Sequence, residues 1–249
     1  MTIGTIDESQ RKAATVVGFS YLFALPPAIF AEFYVRTRLI AFDNAAQTAQ
    51  NIIGHERLFR LGTASNLTVF AVDVVLIMAL YVVLMPVNRS LALLATGWGL
   101  IETATLVVVT LTDFDVLRIL SGADYLSAFE PNRLQALARL SVSAHFDAYN
   151  VGLVLAGLRS TVFCYLWFKS RLIPRALAAW GVGASFLMGG FAYAFIIVPE
   201  VAKLIPVEAY GGPIFLFELT MGFWLLLKGL RLPGPGPDRV GESSHAGVV

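Results

Sequence analysis

The chain has 249 residues, 57% of them hydrophobic and 14% charged, with a formal net charge of +1. An average soluble domain carries roughly 45–50% apolar and about 25% charged residues, so too few polar side chains are present to cover a soluble core. The near-zero charge gives no footing to a nucleic-acid partner, and the single cysteine, Cys164, excludes an intrachain disulfide and a cysteine-built zinc or iron–sulfur cage.

Long, nearly uncharged runs recur along the chain. They predict an all-α, polytopic transmembrane helical bundle of about six spans, roughly 14–34, 66–86, 91–112, 146–168, 175–198 and 212–230. Residues 1–230 read as one integral-membrane domain. Arg11 and Lys12 precede the first run, "AATVVGFSYLFALPPAIFAEF", which is long for a cleaved signal peptide and opens a series of similar runs, so it reads as a retained span. Pro26 and Pro27 within it lack backbone donors and predict a kink or a broken helix. Glu32 closes this span, and Arg36 and Arg38 fall just beyond it.

Residues 44–60, "NAAQTAQNIIGHERLFR", open with a capping-box pattern, Asn44 with Gln47, and place Ala45, Ala49, Ile52 and Ile53 at helical spacing. Glu56 and Arg60 are four apart and can pair. This predicts a short amphipathic surface helix, ended near Gly62 before the second span. A second such helix is predicted from Pro131 through Leu140, running on into the fourth span. Both are expected to cover the outer end of the bundle. The short connections "PVNRS" and "KSRLIPR", with both termini, carry nine Lys and Arg, against eight on the opposite side. Because short loops weigh most, the termini are expected to face the cytoplasm, in a bacterial inner membrane. The tail from residue 231, "RLPGPGPDRVGESSHAGVV", has nothing to bury and predicts disorder.

Four charged residues fall inside spans: Asp73 in the second, Glu102 in the third, Arg159 in the fourth and Glu218 in the sixth. A charge at the bilayer centre costs roughly 2.5–3.5 kcal/mol on insertion scales, so all four are expected to face inward. One acid can pair with Arg159, whose guanidinium stays charged, leaving two without a cation inside the bilayer. These must be protonated, reach an arginine at the outer edge, or bind something positive. Asn66 lies almost two turns before Asp73 on the same face, and His145 nearly four turns before Arg159. With Glu32 they predict a polar funnel opening outward above Asp73 and Glu102. The candidate ligand- or proton-binding residues are therefore Asp73, Glu102, Arg159, Glu218, His145, Asn66 and Glu32. No HExxH or local histidine pair occurs, nor GxSxG, a Walker motif or GxGxxG, so no metal, nucleotide or other cofactor is expected.

The phrases "FAEFYVRTRL", "HERLFRLG", "DVVLIMALYVVLMPVNRSLALLA", "YLSAF", "LQALA" and "FKSRLIPRALA" occur in this order. Together they resemble a bacterial integral-membrane family, domain of unknown function 4386, over about residues 11–230. The resemblance implies a multi-span helical membrane protein and carries over no activity and no site residue. Three readings follow from the residues. The first, slightly favoured by the excess of acids, is a protein that binds or transports a small cationic or polar solute, or a proton, with membrane lipids around it. The second is an intramembrane enzyme acting on a lipid-like substrate. The third is a structural or regulatory membrane protein in which Arg159 and an acid fix helix register.

Overall fold

The structure, a computed structural model, describes residues 6–41 and 44–231, and every regular element among them is helical. Most of the predicted tail therefore lies outside the described residues. The elements are α1 (Glu8–Ile29), a π-helical segment (Phe30–Arg36), α2 (Thr37–Leu39), α3 (Ala45–Gly54), α4 (Glu56–Leu84), α5 (Arg89–Ile119), α6 (Pro131–Ser170), α7 (Arg175–Ile197) and α8 (Val207–Leu227). Six helical stretches are long and apolar enough to cross a membrane, the first running from Glu8 through Leu39. Only 28% to 50% of each apolar window is buried within the molecule, and the remaining apolar surface suits contact with lipid. The chain is a multi-pass helical membrane protein.

Local chemistry sets the helix ends. Asp7 Oδ1 accepts from the Gln10 backbone N–H at 2.7 Å, and Gln10 Oε1 accepts from the Asp7 N–H at 3.2 Å, closing a capping box ahead of α1. Asn88 caps α5 by accepting from Leu91 N–H at 3.0 Å. Pro131 stands at the first turn of α6, which runs unbroken for 40 residues through the predicted surface helix and the fourth span. It ends where Arg171 takes φ 58, in the left-handed region.

One expectation is narrowed and one is corrected. The prolines do not break the first span: α1 continues past them and changes to π-helix at Phe30, whose N–H reaches the carbonyls of both Pro26 and Pro27. The two residues without backbone donors are followed, three residues on, by a change of helical pitch. The surface helix does not extend to residue 60 either. It stops at Gly54, capped at its start by Asn44 accepting from Gln47 N–H, and His55 begins the turn into α4. Glu56 and Arg60 do pair, at 2.7 Å, but on α4. Gly62 lies inside α4, where a Cβ would come within 2.9 Å of Val35, so it serves close packing on the π segment.

The long helices close a ring in chain order: α1, α4, α5, α6, α7, α8 and back to α1. Connections of four residues (85–88 and 171–174) force α4 against α5 and α6 against α7 as antiparallel neighbours. Both ends of the described chain are tied to this end of the bundle, since Gln10 Nε2 donates to the Val83 carbonyl in the last turn of α4 at 3.1 Å and Arg231 N–H to the Leu172 carbonyl of the second connection at 2.7 Å. Two apolar clusters occupy the ends of the bundle. The larger, near the termini, includes Leu80, Leu84, Leu166, Trp167 and Met221. The smaller, at the distal end, joins Val35, Ile52, Phe59, Val116 and Val142. The buried ionic groups are set among them: Arg159 lies on α6 between Ala156 and Phe163 of the larger, and Arg36 between Val35 and Leu39 of the smaller.

Candidate functional site

Two polar layers cross the bundle. In the central layer Arg159 of α6 meets Glu102 of α5, with Nε 2.9 Å from Oε2 and Nη2 donating to Oε1 at 3.3 Å. Both side chains are buried. A glycine one turn earlier on α5 makes this approach available: a Cβ on Gly99 would come within 2.5 Å of Arg159 Cδ. The shorter contact is an ion pair without hydrogen-bond direction, since neither Nε nor Oε2 has a hydrogen-bond partner. Asp73 of α4 and Glu218 of α8 are close enough to act electrostatically on both Arg159 and Glu102, and the uncharged Tyr21 of α1 lies near Arg159. Five helices thus contribute to this centre. As whole residues Asp73 and Glu218 are half-buried where Glu102 is buried, but the carboxyl groups of all three lie in the interior. Against one guanidinium stand three carboxyls, of which one is ion-paired with it.

The distal layer lies further along the same helices. Asp113 is eleven residues, or three turns, beyond Glu102 on α5, about 16 Å at 1.5 Å per residue. Arg36, on the π segment and 7% exposed, is its focus. Its Nε bonds Glu32 Oε1 at 3.1 Å, and its Nη2 reaches Asp113 Oδ1 and Oδ2 at 3.3 and 3.2 Å. Thr63 donates to Asp113 Oδ2 at 3.0 Å, and Asn66 Nδ2 to Glu32 Oε1 at 2.8 Å. His145 Nδ1 is 3.1 Å from Arg36 Nη2 and 3.2 Å from Asp113 Oδ1. It accepts from the first or, carrying a proton, donates to the second, and cannot do both. Its Nε2 is buried without a hydrogen-bond partner, and its ring stacks on Tyr149 with centroids 6.2 Å apart. The space enclosed by Arg36, Thr63, Asn66 and Asp113 is about 10 Å³, which is room for one water at most.

The candidate residues thus fall into two groups. Asp73, Glu102, Arg159 and Glu218 gather in the central layer, and Glu32, Asn66 and His145 belong to the distal network. The distal layer is a packed network and not the mouth of a funnel. Larger spaces open beside it: one of about 1000 Å³ walled by α6, α7 and the start of α8, reaching Asp147, Asn150 and Tyr210, and one of about 550 Å³ near Tyr149. Among the described residues no three His, Cys, Asp or Glu side chains are grouped as metal ligands. The sequence reading left Asp113 and Thr63 out and set Arg36 outside the span. The three-turn interval from Glu102 to Asp113 and the four-residue interval from Glu32 to Arg36 were the available signals.

A protein-family model described as Domain of unknown function (DUF4386) matches residues 16–229. No curated protein and no solved structure gave a match.

Proposed function

The chain belongs to the family of Domain of unknown function (DUF4386), and we propose that it binds a small cationic or polar solute, or a proton, in the acid-rich centre of the bundle, as a binding or transport protein. One observation carries the reading: Asp73, Glu102 and Glu218 come from three helices to the surroundings of Arg159, and only Glu102 is ion-paired with it. A fold that needed Arg159 only as a clamp would need one acid. Two further carboxyls in the interior, with no ion-pair partner among the described residues, are suited to a cationic partner or to a proton. The Glu102–Arg159 pair fixes the walls between α5 and α6, and Asp73 and Glu218 offer the ligand-facing oxygens. Glu32, Asn66 and His145 then serve the distal network that holds the ring of helices together above this centre.

The test is thermal unfolding of the purified chain across a broad panel of small cations and polar solutes, with proton movement followed in liposomes. A ligand at one hundred times its dissociation constant stabilises a protein by about 2.7 kcal/mol, a readily measured shift. At least one solute is expected to stabilise the wild type and not Asp73→Asn, or protons are expected to move. Neither stabilisation nor proton movement in the wild type would end the proposal.

A further inference from the structure

The cavity of about 550 Å³ has a chemistry of its own, distinct from both polar layers. It lies between the distal parts of α1 and α8, with Ile29 and Phe33 on one side and Phe215 on the other. The reason for the opening is in the packing. Nearer the termini α1 and α8 touch closely, since a Cβ on Gly18 would stand 3.0 Å from the Gly222 carbonyl and one on Gly222 would stand 2.7 Å from Leu22. Towards the distal end Gly212 offers no side chain to fill the gap, and a Cβ there would meet nothing within 4 Å. Four rings reach the space, from Phe33, Tyr149, Tyr210 and Phe215, and among the described residues lining it Glu208, exposed at the start of α8, carries the charge. Ile29 and Phe33 are themselves exposed on a candidate span, so the opening lies on the apolar outside of the bundle, the surface suited to lipid.

We propose that this cavity binds an amphiphilic organic cation, an ammonium or phosphonium centre on an apolar body, taken up sideways from the membrane. Its volume falls within the roughly 300–1,000 Å³ of sites for drug-sized ligands. Aromatic faces attract a desolvated cation through their quadrupoles, and an acid at the mouth selects the same sign of charge. A plain acyl chain would need neither, and an anionic amphiphile would meet Glu208. Tyr149 ties the cavity to the interior, for its ring stacks on His145 of the distal network. The inference narrows the solute class of the proposed function and rests on that reading only for the onward step to Asp73.

The experiment measures binding of tetraphenylphosphonium and of its anionic counterpart tetraphenylborate to the purified full chain in detergent, with protein-free micelles subtracted. The cation is expected to bind saturably and at least about tenfold tighter than the anion. Glu208→Gln, at an exposed position, is expected to weaken the cation about three- to fivefold, and Gly212→Leu, which fills open space, more than tenfold. Equal binding of the two ions, or cation binding unchanged in both variants, would overturn the proposal. Phe215→Ala supplies the same test should Gly212→Leu fail to fold. The two readings fail separately. Phosphonium binding lost in these variants, with no small solute or proton acting on the wild type, keeps the cavity and removes the acid centre. Small solutes acting through Asp73, with no selective phosphonium binding, removes the cavity alone.

Discussion

Arg36 and Arg159 are both buried guanidiniums, and the company each keeps separates the two polar layers. Arg36 is saturated: Glu32, Asp113 and His145 surround it in about 10 Å³ of free space. Removing one partner of such a network strands the others, which costs about 3–5 kcal/mol. Asp113→Asn is therefore expected to lose that much stability in thermal unfolding, whereas Thr63→Ala, which deletes one hydrogen bond, is expected to lose about 1 kcal/mol. Similar small losses for both would show that the network is not under this constraint. The sequence made the central charges legible because a lone Asp or Arg in an apolar run stands out. It hid Asp113 and Arg36 because they stand at span ends, where a charge is ordinary, and because their contact spans 77 positions. Only helix rotation, which no single span reveals, brings them together.

Among the elements, the first span carries part of the distal layer and the α6–α7 pair packs closest, backbone against backbone. The π-helical turn after Pro26 and Pro27 shifts the register of everything beyond it, and Glu32 and Arg36 both stand on that turn. Proline content announced a disturbance, while the choice between a break and a change of pitch depends on what packs there, here Gly62 against Val35. Between α6 and α7 the backbones meet at Gly157 and Gly189, where a Cβ on Gly157 would lie 2.5 Å from Gly189 Cα. Backbone cannot yield as a side chain can. Gly157→Ala is expected to lower stability by about 1–3 kcal/mol or more, and Gly190→Ala, with nothing within 4 Å, to leave it nearly unchanged. Unfolding curves of the two variants compare them directly, and an equal response would refute close contact as the reason for Gly157.

At the scale of the whole molecule, a closed ring of six helices turns its apolar outside to lipid and its charges inward. Six spans were legible because hydropathy needs no knowledge of rotation. Arg36, one of the eight Lys and Arg assigned to the outer side, is withdrawn into the interior, which leaves seven there. The termini are accordingly expected to face the cytoplasm. Cys164 is buried, so an introduced cysteine reports alone. An impermeant maleimide added to intact cells is expected to label Ser127→Cys and to spare Ser9→Cys until the membrane is opened, and the reverse pattern would invert the topology.

The central claim is a division of labour among three neighbouring acids, one holding the bundle and two free for a ligand. Thermal unfolding of Glu102→Gln, Asp73→Asn and Glu218→Gln, each with and without a stabilising solute, tests it in one series. Glu102→Gln is expected to lower the unfolding temperature, because it leaves Arg159 without its ion-pair partner. Asp73→Asn and Glu218→Gln are expected to unfold at or near the wild-type temperature and to lose the response to the solute. Losses of stability in those two as large as in Glu102→Gln, with the solute response kept, would contradict the account and return all three acids to the scaffold.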